Sequence, residues 1–273
     1  MLLILFYFNL KNTSTLIFLF FLFIGCNTKP DDSSSNLIWS DEFSEENLNL
    51  NYWNIIEGNG CPELCGFGNN EVQSYSGNVR NIRVENGNLI IEAQKENNSF
   101  YSAKITTANK IDWNTGYIEI RALLPYGKGT WPAIWMLPTL DRKLNWPKDG
   151  EIDIMEHVGY NQNIIYGTIH TDAFNHLKNT HKSDSIYVNT SVHYNTYGLN
   201  WTKNKLEWYV NDTLFHSVNK KDNALTEEWP FNKNFHLILN LAVGGDWGGK
   251  YGIDENIFPQ RFLIDYVRLF SKK

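Results

Sequence analysis

Apolar and polar residues alternate with a period of two along several short segments of the chain. Tyr117–Leu124 alternates in this way, and Lys205–Asn211 places Leu206, Trp208 and Val210 on one side. Because successive side chains of a strand point to opposite faces, this pattern predicts strands that are buried on one face. Further short apolar runs predict strands at Leu89–Ala93, Ile164–His170, Phe235–Val243 and Arg261–Phe270.

The segments between these strands carry turn-forming residues, as in Glu85–Asn88 and Gly244–Gly249. No stretch of helical period exceeds two turns, and the best candidate for a short helix is Asn223–Trp229. Many short strands without alternating helices indicate a β-sandwich or a β-barrel. Of these two architectures we favour an all-β sandwich of antiparallel strands.

The first 26 residues read as an export signal. Met1–Gly25 is almost wholly apolar, and its densest run, Leu16–Ile24, is too short to favour a spanning helix. The run Phe23–Cys26 resembles a bacterial lipobox, in which the cysteine is lipidated and becomes the new N-terminus. We therefore expect an exported lipoprotein that is lipidated at Cys26 and held at the cell surface or outer membrane. An ordinary cleaved signal, giving a secreted protein, and a membrane anchor are the alternatives.

A polar segment follows the signal and separates it from the rest of the chain. Residues 27–36 offer nothing apolar to bury, which predicts a tether. Residues 37–273 then form one folded domain, a length that suits a single β-sandwich. Cys61 and Cys65 are four residues apart, and outside the cytoplasm they could form a small local disulfide. Zinc would need more ligands than this pair offers nearby.

Composition narrows the possible classes of protein. The 273 residues are 42% hydrophobic and 15% aromatic, which excludes a disordered chain. A formal net charge of −6 argues against a nucleic-acid partner, because phosphates require a basic face.

The segment Gly150–His157 contains three carboxylates, Glu151, Asp153 and Glu156. In a regular strand Glu151 and Asp153 share a face, and Glu156 points to the opposite one. A β-bulge that absorbs one extra residue, for which Met155 is the natural candidate, would return Glu156 to the face of the other two.

Carboxylates grouped in this way can perform glycoside hydrolysis. Two glutamates that lean together can approach to roughly 5 Å, the separation that a retaining glycosidase requires. The central Asp153 would repel both neighbours and help to keep one glutamate protonated at neutral pH. A solvated strand face and a calcium-binding face are the alternatives.

Aromatic residues precede these carboxylates. Trp131 and Trp135 lie four residues apart and so share a strand face, where indole rings could stack on sugar rings. Asn69–Gln73 and His170 could supply directional hydrogen bonds to a sugar. The alternatives are core tryptophans and a buried, satisfied histidine.

Together these motifs resemble glycoside hydrolase family 16, in the form typical of laminarinase-like endo-β-1,3-glucanases. The carboxylate segment, with one extra residue before its last glutamate, is the most specific match. Other matches follow in chain order at Trp39–Phe43, Gly68–Gln73 with Tyr75, Tyr101–Thr107, Trp131–Pro138, Tyr166–His170, Asn240–Gly245 and Asp265–Arg268.

The resemblance implies a concanavalin-like jelly roll of two curved antiparallel sheets, with a substrate cleft on the concave face. It implies retention of configuration by double displacement, with Glu151 as nucleophile, Asp153 as assisting carboxylate and Glu156 as acid/base. The substrate-binding residues that it implies are Asn70, Trp131, Trp135, His170 and Trp247.

The resemblance also implies that catalysis needs no cofactor, although many members hold a structural calcium. Its ligands here would be Glu42, the Gly87 carbonyl and Asp265. We expect a polysaccharide substrate and a monomeric protein. A β-galactan hydrolase of the agarase type and a mixed-linkage β-glucanase are the enzymatic alternatives. A lectin-like surface lipoprotein is the alternative that is not an enzyme.

Overall fold

The computed structural model describes residues 36–273. The predicted signal, the lipidation site at Cys26 and nearly all of the predicted tether lie outside the described residues, so these expectations stay predictions. Between residues 36 and 273, no helix has both the length and the apolar character needed to cross a bilayer.

Short strands make up nearly all of the regular structure. The strands are β1 (Leu37–Asp41), β2 (Asn54–Ile56), β3 (Gln73–Tyr75), β4 (Ile82–Glu85), β5 (Asn88–Glu96), β6 (Ser99–Ser102), β7 (Lys104–Thr106), β8 (Gly116–Leu123), β9 (Thr130–Pro138), β10 (Glu151–Glu156), β11 (Ile164–His170), β12 (Lys182–Tyr187), β13 (Asn195–Trp201), β14 (Lys205–Val210), β15 (Thr213–Asn219), β16 (Phe235–Val243) and β17 (Gln260–Phe270). Short 3₁₀ helices occur at Cys65–Gly68, Gly159–Asn161, His176–Lys178 and Glu255–Ile257.

These strands form two sheets, as the sequence predicts for a sandwich. The smaller sheet has seven strands in the order β12-β11-β10-β9-β16-β7-β2. The larger one has the order β15-β14-β13-β8-β17-β5-β6-β3, with β1 added beside β17 and β4 beside β5. The described pairings are antiparallel except that of β3 with β6. The all-β, antiparallel prediction is therefore confirmed.

The hydrophobic core lies between the two sheets and accounts for the alternation seen in the sequence. In β14, Leu206, Trp208 and Val210 are buried, and the residues between them are half-buried. Large side chains from both sheets meet in this core, among them Trp201 of β13 and Phe235 of β16, whose rings are 5.4 Å apart. Burial of these side chains supplies the main driving force for joining the sheets.

The predicted helix at Asn223–Trp229 is wrong. The chain there forms turns, in which the amides of Glu228 and Trp229 both bond to the carbonyl of Leu225. Trp229 is 4% exposed and packs edge-on against Phe231. Pro230 follows at once and has no amide hydrogen with which to continue a helix. The burial of the Trp229 side chain therefore outweighs the weak local preference of this segment for a helix.

Candidate active site

A β-bulge in β10 brings three carboxylates onto the outer face of the seven-stranded sheet. Asp153 pairs with Thr168 of β11, but Glu156 pairs with Tyr166, so that two residues of β10 stand opposite Gly167 alone. An extra residue of this kind changes which face the following side chain occupies. Glu156 therefore lies on the same face as Asp153, and the bulge that the sequence predicts is present.

The two residues inside the bulge, Ile154 and Met155, both point into the core and are 1% and 0% exposed. On the side of β9, Asp153 pairs with Trp135 and Met155 pairs with Ile134. The residue left without a partner on that side is therefore Ile154. Met155 belongs to the bulge, as predicted, but keeps its place in the ladder with β9.

Trp208 of the larger sheet contacts the main chain of the bulged strand from the core side. Its indole nitrogen donates a hydrogen bond of 2.7 Å to the main-chain oxygen of Asp153. Gly167 leaves room for this ring, because a Cβ atom there would lie 2.6 Å from Trp208 Cδ1. The bulge is thus supported by a buried side chain from the opposite sheet.

Glu151 is held by two groups. Trp146 donates its indole hydrogen to Glu151 Oε2 over 2.8 Å, and His170 Nε2 lies 3.8 Å from Oε1. Trp146 belongs to the loop before β10, where Asp149 pairs with Arg142 and accepts the amide hydrogen of Asn145. The sequence reasoning missed Trp146; its position five residues before Glu151 was the available signal.

Glu156 accepts a hydrogen bond of 3.1 Å from the indole nitrogen of Trp131. Trp131 packs edge-on against Trp247, with ring centroids 5.5 Å apart, and Trp247 packs in turn against Tyr166 at 5.2 Å. Of the three tryptophans that the sequence proposes for substrate binding, Trp131 contacts the Glu156 carboxylate directly, and Trp247 packs against Trp131.

Asp153 lies between the two glutamates and is 3% exposed. Its Oδ2 is 3.4 Å from His170 Nε2, and among residues 36–273 it accepts no hydrogen bond. One ligand-type atom from each of Glu151, Asp153 and His170 lies within 4.8 Å of the other two. His170, predicted as a substrate residue, thus sits against two of the three carboxylates.

Burial changes the acidity of all three carboxylates. It raises the pKa of Glu151 to about 8, and the charge of Asp153 adds to the effect. Burial likewise raises the pKa of Asp153, and it raises the pKa of Glu156 well above the ordinary value for a glutamate. The pKa of Glu151 is held down in part by His170 and by the indole hydrogen of Trp146. Because the three groups cannot all ionise at neutral pH, the site can hold a proton beside an ionised carboxylate.

Trp135 lies beside the carboxylates on the same face. Its indole nitrogen donates 2.7 Å to Asn240 Oδ1, and Asn240 donates 3.0 Å to the hydroxyl of Tyr75. The ammonium group of Lys104 lies 4.8 Å from the centre of the Trp135 ring. The sequence reasoning did not identify Lys104 or Asn240 individually, because their distance from Trp135 along the chain hides the contact.

The segment Asn69–Gln73 divides its side chains between the cleft rim and the interior. Asn70 is exposed, has a φ of 56° and donates 2.9 Å to Asp246, the neighbour of Trp247. Glu71 instead accepts 2.7 Å from Gln73, which is fully buried. Asn70 is therefore placed to meet a ligand, whereas Gln73 serves the interior.

The predicted calcium ligands lie far along the chain from the carboxylates of β10. Arg268 donates to both carboxylate oxygens of Glu42 at 2.9 and 2.7 Å, and Arg121 pairs with Asp265. The side-chain hydrogen bond from Arg268 lowers the pKa of Glu42. Gly87 lies in the turn between β4 and β5. In this arrangement an arginine is paired with each of the two carboxylates, and calcium stays a prediction.

Cys61 and Cys65 are joined by a disulfide bond. The bond closes a short loop that leads into Asn69 and Asn70. Phe67, which follows this loop, packs at a tilt against Tyr75 of β3, with ring centroids 4.9 Å apart.

Comparison with known proteins gives a consistent result. The model of the family "Glycosyl hydrolases family 16" matches residues 69–268. A beta-glucanase of Rhodothermus marinus is 42% identical over 274 residues, covering 93% of each chain.

Solved structures agree in fold. The laminarinase of Rhodothermus marinus superposes with a TM-score of 0.83 at 41% identity, covering 88% of this chain and 98% of that one. The laminarinase of Flavobacterium sp. UMI-01 gives a TM-score of 0.81 at 38% identity, covering 86% of this chain and all of the other. The two sheets therefore form the jelly roll that the sequence predicts. With the family model, the near full-length relatives and the fold in agreement, the chain belongs to family 16 of the glycosyl hydrolases.

Proposed function

We propose that this protein is a retaining endo-glycosidase that hydrolyses β-1,3-glucan of the laminarin type. The observation that carries the proposal is the bulge of β10, which places Glu156 beside Glu151 and Asp153 on one open face. Its similarity to laminarinases supports the choice of substrate. Family 16 glycosidases need no catalytic cofactor, so the side chains of the cleft carry the reaction.

The reaction proceeds in two displacements. Glu151, ionised and oriented by Trp146, attacks the anomeric carbon, while Glu156 gives its proton to the departing glycosidic oxygen. A covalent glycosyl-enzyme forms and the first product leaves. Glu156 then removes a proton from a water molecule, which attacks the same carbon and releases Glu151. Two inversions give net retention.

Asp153 and the indole groups assist without bonding to the sugar carbon. The charge of Asp153 opposes ionisation of both glutamates. Trp135 and Trp247 offer ring faces for sugar stacking, and Asn70 and His170 offer hydrogen bonds at the edge of the cleft. These assignments are the substrate-binding part of the proposal.

The experiment that tests the proposal compares polysaccharides and variants. We expect the purified protein to release reducing ends from laminarin faster than from mixed-linkage β-glucan or agarose. Product chromatography should show a range of oligosaccharides, as expected for internal cleavage, and NMR should show the β-anomer first. Glu151→Gln and Glu156→Gln should lose at least about 10³-fold in kcat, since each removes a group that acts in the transition state.

Each possible result of this experiment excludes a different part of the proposed function. Turnover by both glutamine variants at the parental rate would refute the catalytic assignment. Binding of laminarin by the parent without turnover would favour the lectin alternative. Faster release of reducing ends from agarose than from laminarin would favour a β-galactan hydrolase. Faster release from mixed-linkage glucan would favour a mixed-linkage β-glucanase.

We further propose that the protein is an exported, monomeric lipoprotein anchored through Cys26. The support is the apolar run that ends at Cys26 and the polar stretch after it. Mass spectrometry of the mature protein should show a lipidated N-terminal cysteine, and Cys26→Ser should abolish the lipid. An unmodified N-terminus elsewhere would contradict the anchor. Light scattering in detergent should give the mass of one chain.

A further inference from the structure

Three ligand-type atoms converge beside the proposed nucleophile. His170 Nε2 lies 3.4 Å from Asp153 Oδ2 and 3.8 Å from Glu151 Oε1. The three ligand atoms all lie within 4.8 Å of one another. The residues come from adjacent strands, β10 and β11, in which Glu151 pairs directly with His170. The backbone that carries them is therefore fixed by the sheet.

The spacing between His170 and each of the two carboxylates is close to that of ligands around a tetrahedral cation, and the two carboxylate oxygens lie within 4.8 Å of each other. Bonds of about 2.0–2.2 Å from zinc to imidazole nitrogen and carboxylate oxygen place two such ligands about 3.3–3.6 Å apart. The pair formed by His170 and Asp153 already has that spacing, and the pair formed by His170 and Glu151 is slightly wider. Rotation of the glutamate side chain, which is 15% exposed, can close the remaining gap.

A second feature is a buried carboxylate oxygen of this cluster that has no hydrogen-bond donor. The side chain of Asp153 is 4% exposed, and its Oδ2, which faces His170, accepts no hydrogen bond from residues 36–273. Buried carboxylate oxygens are almost always paired, because an unpaired one keeps its full cost of desolvation. A cation bound between these three residues would satisfy that oxygen.

We propose that Glu151, Asp153 and His170 form an inhibitory binding site for Zn²⁺. Three protein ligands leave the fourth position of the metal open to water. Zinc bound there occupies the oxygen of Glu151 that must attack the sugar, and it excludes the substrate. The site itself follows from the geometry alone, whereas the inhibition rests on the proposed role of Glu151.

The donor set also determines which cation is accepted. Imidazole together with carboxylate suits zinc, whereas Mg²⁺ requires octahedral oxygen ligands and keeps its water. His170 Nδ1 has no hydrogen-bond acceptor among the described residues. An acceptor at that nitrogen typically strengthens metal binding by about 10- to 100-fold. The affinity should therefore be moderate, and binding should be reversible by a chelator.

Calorimetric titration of the full-length protein with ZnCl₂ tests the site directly. We expect one zinc ion per chain, no saturable heat with MgCl₂, and at least about 10-fold weaker zinc binding after His170→Asn or Asp153→Asn. His176→Asn and His181→Asn are matched controls, because these rings contact His170 at 5.2 and 6.1 Å but do not belong to the cluster. They should keep the parental affinity within about threefold.

The result can overturn the proposal in several ways. Absence of saturable zinc binding would refute the site. An equal loss of zinc affinity in the His176 and His181 variants would show that zinc binds at these exposed histidines instead. The Asp153→Asn variant keeps the test decisive if His170→Asn does not fold, which circular dichroism reports.

Kinetics test the inhibition separately. Zinc should raise the apparent KM for laminarin without lowering kcat, and EDTA should restore the parental KM. A fall in kcat at unchanged KM would show that zinc acts elsewhere. If the EDTA-treated protein does not hydrolyse laminarin at all, the proposed function fails, whereas the calorimetry still decides on the zinc site.

Discussion

Replacing Glu151 by glutamine is expected to make the protein more stable at pH 8 while it abolishes hydrolysis. Burial and the charge of Asp153 raise the pKa of Glu151 to about 8. A glutamine keeps an oxygen that can accept the indole hydrogen of Trp146, but it carries no charge. The substitution therefore removes an unfavourable charge from a desolvated place and preserves the contact that positions the side chain.

The sign and the size follow from proton linkage. The pKa of Glu151 is higher in the folded chain than in the unfolded one, so the folded chain holds more protons between about pH 4.5 and 8, and stability falls as the pH rises through this window. If Glu151 titrated alone, the loss at pH 8 would be roughly 4 kcal/mol. Because Asp153 competes for the same proton, we expect about 2 kcal/mol, or about 4–8 °C in Tm.

Calorimetric melting of the parent and Glu151→Gln between pH 4 and pH 8 measures this effect. The gain in Tm should be largest at pH 8 and should vanish near pH 4, where the parental carboxyl is protonated in both states. Glu46→Gln, at an exposed position, is the control and should shift Tm by less than about 1 °C at either pH. No gain at pH 8, or the same gain at pH 4, would refute the burial argument.

Two further substitutions and one deletion test the surroundings of the two glutamates. Trp146→Phe removes a hydrogen bond to Glu151; it should lower kcat about 10- to 100-fold in steady-state assays with laminarin, with KM changed less than about threefold. Trp131→Phe removes a donor that lowers the pKa of Glu156, so the basic limb of the pH profile of kcat/KM should move to higher pH; an unmoved limb would contradict this. Deletion of Ile154 should leave Asp153, Met155 and Glu156 in regular alternation, with Glu156 still on the open face; we expect hydrolysis of laminarin to stay above the level of Glu156→Gln, while circular dichroism checks that the sheets persist.

The strands were predictable because apolar residues either alternate along them or run through them without interruption. Ile164–His170 and Phe235–Val243 appear with the bounds that their apolar runs predict. The order of the strands within each sheet could not be predicted from local sequence patterns. β16 lies beside β9, so that Ile238 pairs with Trp135 across about a hundred residues of chain, and no periodicity encodes such a neighbour.

The site was predictable where its chemistry is local in sequence. Glu151, Asp153 and Glu156 stand in one strand, so a spacing argument could reach them. Trp146 and Lys104 could not be reached in the same way, because their roles depend on where the loop before β10 and the strand β7 lie in the folded chain. Trp146 bonds to Glu151 only because its loop returns over the end of β10.

The binary pattern of β10 explains why the bulge forms. Its six residues read polar, apolar, polar, apolar, apolar, polar, and the three apolar side chains are at most 1% exposed. A regular strand would place Met155 on the open face and Glu156 in the core, where an unpaired carboxylate costs several kcal/mol. One extra residue avoids both penalties, since Ile154 and Met155 are buried together opposite Gly167. Two consecutive apolar residues in an otherwise alternating strand therefore specify the kink, and the kink in turn gathers the carboxylates.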